Sequence, residues 1–112
     1  MDRELKRGTL DMVLLRLLSE REMYGYELVA AVEERTGGAL EVAGGTMYPV
    51  LYRLEQAGYV EPRWQTPERG AARKYYRLTP EGTRELERLV AEWRAFIRTL
   101  DRVLEPEGAP HE

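Results

Sequence analysis

Side chains suited to nucleic-acid recognition are concentrated in one stretch, GGTMYPVLYRLEQAGYV, which spans Gly44 to Val60. Four apolar residues recur there at i, i+3, i+4 and i+7, which predicts a helix with one buried stripe: Met47, Val50, Leu51 and Leu54. The opposite side and leading edge carry groups that can contact base edges and phosphates in a DNA major groove: Thr46, Tyr48, Tyr52, Arg53 and Gln56. The alternative is an ordinary surface helix, because polar outward faces are the rule.

The ends of this helix are also predicted by residue type. The Thr46 hydroxyl is expected to cap free amides of the first turn, and Pro49 lies early enough to remove little hydrogen bonding. Gly58 is expected to end the helix.

Two further helices are predicted before this one. A polar arm, Asp2 to Arg7, precedes Gly8 and a capping Thr9, and an amphipathic helix then runs to Ser19. The stretch MYGYELVAAVEERTGG reads as a second helix that ends at Gly37 and buries Tyr24, Leu28, Val29 and Val32. Three short helices in this order match a helix-turn-helix arrangement.

Gly25 is unusual because it falls in the first turn of the second helix. A glycine inside a helix costs up to ~1 kcal/mol relative to alanine. We therefore expect a close approach to Gly25 by another backbone or by DNA, with a tolerated glycine as the alternative.

A basic hairpin is predicted after the helix of residues 44–58. Beta-favouring residues run from Tyr59 to Gln65, the segment TPERG provides turn chemistry, and Arg73 to Leu78 alternates again. Residues 61–77 carry five basic and two acidic side chains, although the whole chain has a net charge of −3. The cations resemble those of a wing that touches a DNA backbone: Arg63, Arg69, Arg73 and Lys74. The alternative is a solvated hairpin edge that positive charge protects from aggregation.

The sequence after the hairpin predicts one long helix that forms a homodimer interface. Thr79, Pro80 and Glu81 form a helix start, and no breaker follows until Pro106. A 3-4 spacing relates Leu86, Leu89, Trp93, Phe96, Leu100 and Val103. This repeat predicts a homodimer in which the long helix also packs on the first helix.

Composition excludes several classes of function. There is no cysteine, and the one histidine is His111 in the tail, so we expect no metal, no cofactor and no enzymatic activity. No apolar run approaches the ~20 residues needed to span a bilayer, and no signal peptide is evident. We expect a cytoplasmic protein without a membrane partner.

The sequence resembles the PadR family of winged helix-turn-helix transcriptional regulators across nearly its whole length. Five segments carry the resemblance: GTLDMVLLRLLSE at 8–20, MYGYEL at 23–28, GGTMYPVLYRLEQAGYV at 44–60, RKYYRLTPEG at 73–82, and EWRAF around Trp93. It implies a homodimeric repressor with its third helix in the major groove. The implied DNA contacts are Thr46, Tyr48, Tyr52 and Arg53 on that helix, Tyr24 and Tyr26 near the backbone, and Arg69, Arg73 and Lys74 on the wing.

The resemblance also implies an effector site. The single C-terminal helix is similar to that of short family members, in some of which a tryptophan of this helix stacks planar aromatic compounds between two subunits. Other relatives respond to phenolic acids. Trp93 occupies the matching place, and Leu89, Phe96 and Leu100 surround it in the seam. A dry dimer core is the alternative for these residues.

These patterns predict a mainly α fold with a small two-stranded β wing. Residues 1–78 would form a winged helix-turn-helix domain, 79–104 a dimerisation helix, and 105–112 a disordered tail. The predicted function is that of a homodimeric repressor of a pseudo-palindromic DNA operator, relieved by a small aromatic or phenolic effector. The alternative, which the overall acidity suggests, is a winged-helix module for protein-protein interaction without specific DNA binding.

Overall fold

The structure, a computed structural model, describes residues 3–106 of the chain and the side chains of residues 8–106. Its elements in chain order are α1 Arg3–Glu20, β1 Met23–Tyr24, α2 Gly25–Arg35, α3 Gly44–Gln56, β2 Val60–Gln65, β3 Arg73–Leu78 and α4 Pro80–Leu104. The predicted fold class, mainly α with a β wing and a long C-terminal helix, is confirmed. Apart from residues 105 and 106, the tail predicted to be disordered lies outside the described residues.

The hydrophobic core lies where α1, α2 and α3 meet the sheet. The four residues of the predicted α3 stripe are all buried, as are Leu28 and Val32 of α2. From α1 the core receives Leu10, Leu14, Leu15, Leu17 and Leu18. Burying a leucine or valine side chain contributes about 1.5–3 kcal/mol to the stability of the fold. This shared core therefore fixes α3 against α1, α2 and the sheet.

The sheet has three strands rather than the predicted two. β1 pairs antiparallel with β3, placing Met23 opposite Tyr76 and Tyr24 opposite Tyr75, and the strand order is β1-β3-β2. Tyr24 therefore belongs to a strand and not to the buried stripe of α2. A strand of two residues is too short to show alternation, so its sequence reads as the beginning of the helix that follows.

Two predicted helix starts are wrong. α1 begins at Arg3, so residues 3–7 are helical rather than an arm, and Thr9 is not its N-cap. The sequence RELKR favours helix, and one glycine at position 8 adds only about 1 kcal/mol against it. α3 is capped at Ala43, whose carbonyl accepts the N–H groups of Thr46 and Met47, so the Thr46 hydroxyl does not cap it.

The predicted helix ends are confirmed. Gly58 follows α3 with a φ of +81°, and Gly37 follows α2 with a φ of +60°. Behind α3 the Gly58 N–H donates to the Glu55 carbonyl and the Tyr59 N–H to the Leu54 carbonyl, both at 3.0 Å. Two such bonds around a left-handed glycine form a Schellman motif, which satisfies carbonyls that a helix end leaves free.

The long helix α4 has the predicted start and length. The Thr79 Oγ1 accepts the Gly82 N–H at 3.0 Å, and Pro80 occupies the first turn. The first half of α4 packs against α1, with Met12, Leu89 and Val90 next to the core. In the second half of α4 the large apolar side chains beyond Trp93 are exposed: Phe96, Ile97, Leu100, Val103 and Leu104. No helix in the described part of the chain is both long enough and apolar enough to cross a membrane.

The end of α3 and the start of α4 meet in a close junction. The Thr79 hydroxyl donates to the Gly58 carbonyl at 2.6 Å, and the Thr79 N–H donates to the Tyr59 carbonyl at 3.1 Å. Gly82 lies against the same carbonyl, and a Cβ on Gly82 would be 2.0 Å from the Tyr59 oxygen. Only glycine fits at this position without moving backbone.

We predict that Gly82→Ala lowers the free energy of unfolding by at least ~1–3 kcal/mol, because the methyl group must displace a backbone carbonyl. The matched control is Gly8→Ala, another helical glycine, where a Cβ meets nothing within 4 Å. That control should be neutral or stabilising by up to ~1 kcal/mol. Urea unfolding followed by circular dichroism at equal protein concentrations measures both. Equal stability of the two variants would contradict the close contact.

Candidate nucleic-acid interface

The outward side of α3 is a continuous exposed stripe. Gly45, Pro49, Tyr52 and Gln56 lie about half a turn from the buried stripe and are all exposed. Tyr52 keeps 62% of its surface accessible. The stripe therefore offers a phenol and an amide to any ligand that approaches α3 from outside the core.

Arg53 lies on the flank of α3 that faces α1, where it forms a bidentate ion pair with Asp11. The Nη1–Oδ2 and Nη2–Oδ1 distances are 2.8 and 2.5 Å, and the pair is partly buried. These hydrogen bonds raise the pKa of Arg53 above its ordinary value. A planar bidentate pair fixes orientation as well as charge, so Arg53 ties α3 to α1. Thr46, on the same helix, is exposed.

Tyr48 lies on the opposite flank and covers Gly25. A Cβ on Gly25 would be 2.6 Å from both Cε1 and Oη of Tyr48. The close approach expected at Gly25 is therefore present, but its partner is a tyrosine side chain and not another backbone. About half of Tyr48 stays exposed, so its ring both packs on α2 and borders the surface.

Lys74 points from the sheet toward α3. Its Nζ is 2.9 Å from Oε1 of Glu55 and lies over the rings of Tyr76 and Trp64, at 5.3 and 5.9 Å from their centroids. The ion pair with Glu55 raises the pKa of Lys74 above its ordinary value. Lys74 thus joins the wing to α3 instead of extending into solvent.

The other wing cations have different environments. The Arg73 guanidinium lies 5.1 Å from the ring centroid of Tyr24, and Arg63 pairs with Glu22 while covering the ring of Tyr75. Arg69 is exposed in the loop between β2 and β3, and no acidic residue in the described part of the chain pairs with it. Arg69 is consequently the wing cation most available to a phosphate.

Three tyrosines form a row of aromatic rings from the sheet to the start of α2. The ring of Tyr24 lies 6.4 Å from that of Tyr26 and 5.3 Å from that of Tyr75. Tyr26 is 72% exposed at the N-terminus of α2. Its phenol can donate a hydrogen bond to an anion that approaches this helix end, where the backbone dipole also favours negative charge.

Three residues of this interface are not predicted by the sequence patterns. Trp64 is exposed on the strand β2, directly opposite Lys74 in the register. The alternation of the two strands could have placed it beside Lys74 on one face. Asp11 and Glu55 gave no signal, because each acts through a cation distant in the sequence.

The candidate effector residues are only partly brought together. Leu89, Trp93 and Phe96 line a groove of about 260 Å³ between α4 and the residues Gly8, Thr9 and Met12 of α1. The rings of Trp93 and Phe96 are 6.3 Å apart. Leu100 is exposed further along α4 and does not line this groove.

Three helices followed by a β hairpin, with the third helix exposed beside the hairpin, define a winged helix-turn-helix protein. The profile of the transcriptional regulator PadR-like family matches residues 14–88 of the chain. The chain belongs to this family of regulators, whose members bind DNA.

Three proteins are similar to this chain over most of its length. An uncharacterized protein of Lysinibacillus sphaericus is 35% identical over 102 residues, which is 91% of this chain and 94% of that protein. A PadR family transcriptional regulator from Eggerthella lenta superposes with a TM-score of 0.82 and 35% identity, covering 93% of this chain and 88% of that one. A transcriptional regulator from Clostridium thermocellum superposes with a TM-score of 0.84 and 28% identity, covering 91% and 99%.

The contact between Tyr48 and Gly25 predicts a non-additive pair of substitutions. Gly25→Ala should lower the free energy of unfolding by up to ~1 kcal/mol, because its methyl group must displace the ring of Tyr48, which is half exposed and can move toward solvent. In a Tyr48→Ala background the same change should be neutral or stabilising, since the space is then empty. Chemical unfolding of the four proteins of this cycle provides the measurement. If Gly25→Ala has the same effect in both backgrounds, the ring contact does not constrain Gly25.

Proposed function

We propose that this chain is a homodimeric repressor that acts in the cytoplasm and binds a pseudo-palindromic operator in double-stranded DNA. The observation that carries the proposal is the exposed α3 stripe, with Tyr52 and Gln56 beside a wing whose loop carries Arg69, a cation that forms no ion pair with any described residue. A helix of this kind fits the major groove, and a basic hairpin next to it reaches the flanking backbone.

The interface residues divide into those that contact DNA and those that hold the contacting elements. We assign Thr46 and Tyr52 to base edges, and Tyr48 to the rim of the groove. We assign Tyr24 and Tyr26, at the N-terminus of α2, to a backbone phosphate. Arg69 and Arg73 are assigned to the backbone phosphates next to the wing. For Arg53 and Lys74 we propose a positioning role, because phosphates must compete with the carboxylates of Asp11 and Glu55 at 2.5 and 2.9 Å.

The proposed dimer uses the second half of α4. Its exposed apolar side chains follow the predicted 3-4 seam, and they include Phe96, Leu100 and Val103. A second copy of this helix offers the matching surface for such a seam. Two α3 helices related by a two-fold axis would then read half-sites separated by one or two helical turns, each ~34 Å.

We further propose that a small aromatic or phenolic effector acts at the groove lined by Leu89, Trp93 and Phe96. The groove lies between α1 and α4. A ligand bound there would change the angle between α4 and the winged helix-turn-helix domain, and with it the separation of the two α3 helices in the dimer. A ligand must favour one dimer geometry by several kcal/mol to relieve binding. A dry dimer core that buries Trp93 without a ligand is the competing role of these residues.

A protein-interaction module is the second candidate function, and one observation favours it. Of the cations on the face formed by α3 and the wing, Arg53, Arg63 and Lys74 are neutralised by carboxylates of the same chain. Such a face has less charge for phosphates than the sequence suggests. DNA binding with a shallow salt dependence and no preferred sequence would favour this function.

Selection from a randomised duplex pool at moderate salt tests the proposed function. We predict a two-fold symmetric motif for the wild-type protein. Leu100→Glu places a carboxylate in the seam and should weaken dimerisation by at least ~10-fold, so that only single half-sites or no site are recovered. The control is Ala95→Glu, which adds the same group to the other side of α4. Sedimentation of each protein reports the oligomeric state, and a wild-type selection without any motif would refute specific DNA binding.

The role of Arg69 predicts a change in salt dependence. Arg69→Gln should reduce the slope of log Kd against log salt concentration by ~0.9 if one wing of the dimer contacts a phosphate through Arg69. If both wings make this contact, the reduction should be about twice as large. Affinity for specific and scrambled duplexes should fall alike, because a phosphate contact carries no sequence information. Arg35→Gln, which removes the same charge at the far end of α2, is the control. An unchanged slope for Arg69→Gln would exclude Arg69 from the interface.

A further inference from the structure

A second concave surface lies between α3 and the wing. It is a cleft of about 550 Å³, within the range of pockets that hold small ligands. On one side are Tyr48 and Tyr52 of α3, and on the other are Trp64 and Tyr76 of the sheet, with Tyr24 at the margin. This cleft is distinct from the groove between α1 and α4, because the two share no residue.

The cleft has exposed aromatic rings on both of its walls, and the Lys74 ammonium lies 5.9 Å from the ring centroid of one of them, Trp64. Trp64 is 63% exposed, and Tyr52, across the cleft, is exposed to a similar extent. Large aromatic side chains stabilise flat ligands by stacking as well as by burial. Two such rings on opposite walls of one concavity suit a flat ring system placed between them.

The charge of the cleft selects the chemistry of that ring system. Lys74 is already paired with Glu55, so these two contribute no net charge. Arg73 lines the cleft with only the ring of Tyr24 beneath it, and no carboxylate in the described residues forms an ion pair with it. The phenol of Tyr76 stays neutral, since burial raises its pKa above the ordinary value. One unneutralised guanidinium remains, and it offers two parallel N–H groups to a carboxylate.

We propose that this cleft binds a planar aromatic carboxylate, whose ring stacks against Trp64 and Tyr52 and whose carboxylate pairs with Arg73. The part of the inference that concerns DNA rests on the proposed function. Tyr52 and Arg73 belong to the proposed DNA contacts, so a ligand that covers them excludes DNA by direct competition. No change in the dimer is needed for this effect.

Calorimetric titration with 2-naphthoate tests the site without DNA. We expect saturable binding at one molecule per chain, weakened about tenfold by Trp64→Ala and by Arg73→Gln, which remove the stacking face and the cation. The matched control for the lost charge is Arg77→Gln, on the same strand but outside the cleft and paired with Glu61. The uncharged isostere 2-naphthamide should bind at least about tenfold more weakly than 2-naphthoate.

Three outcomes of the titration would overturn the site. They are no saturable binding of 2-naphthoate, equal binding by wild type and Trp64→Ala, and loss of binding in Trp93→Ala instead, which would move the ligand to the groove between α1 and α4. Folding of each variant is checked by its unfolding midpoint, and Trp64→Phe should retain binding if stacking is the cause of affinity.

Competition is tested separately with a duplex recovered by selection. Rising 2-naphthoate should increase the apparent Kd for DNA in proportion to ligand concentration, without a plateau. A plateau, or a complex containing both ligands, would overturn the exclusion of DNA. If no duplex is bound specifically, the proposed function fails while the calorimetric result for the cleft still stands, so the two failures are distinguishable.

Discussion

The position of α3 relative to α4 depends on one junction, where the Tyr59 carbonyl faces the first turn of α4. The turn after α3 ends there and β2 begins there. Thr79, the residue between β3 and α4, donates hydrogen bonds to the carbonyls of Gly58 and Tyr59 in that turn. Gly82 is the residue that lets the two backbones approach so closely. Since the end of α3, the wing and the start of α4 meet at this contact, we expect a rotation of α4 to displace α3 or the wing. The junction therefore connects the seam proposed on α4 with the DNA-binding surface proposed on α3 and the wing.

Ion pairs on either side of α3 complete its orientation. Arg53 joins α3 to α1 through Asp11, and Lys74 joins it to the wing through Glu55. Exposed ion pairs contribute at most about 1 kcal/mol each, and these two are only partly exposed, so they add direction more than stability. They also withdraw two positive charges from the face that would meet phosphates. Under the proposed function, DNA binding by this face would depend on hydrogen bonds and shape to a larger degree than the count of basic residues suggests.

The local structure is predictable from the sequence wherever one residue type decides it. The bounds of β3 and α4, and the stops at Gly37 and Gly58, follow from alternation, a Thr-Pro start and left-handed glycines. β1 could not be predicted, because two residues acquire strand geometry only by pairing with β3. For the site, the patterns identified α3 and the wing as exposed surfaces but not the partners of their cations. Asp11 is 42 residues from Arg53, and nothing in the local sequence indicates that the fold brings them together.

The two concave surfaces imply different physical routes from ligand to DNA. A ligand in the groove beside Trp93 touches α1 and α4, so its effect must pass through the junction and requires unequal affinity for two dimer geometries. A ligand in the cleft beside Trp64 would touch residues of the proposed DNA-binding surface itself and would need only to occupy them. The second route does not require a bistable dimer, and it leaves the oligomeric state unchanged. Because the junction holds α3 and the wing in a fixed relation, the cleft between them is formed before any ligand arrives, which reduces the ordering cost of binding.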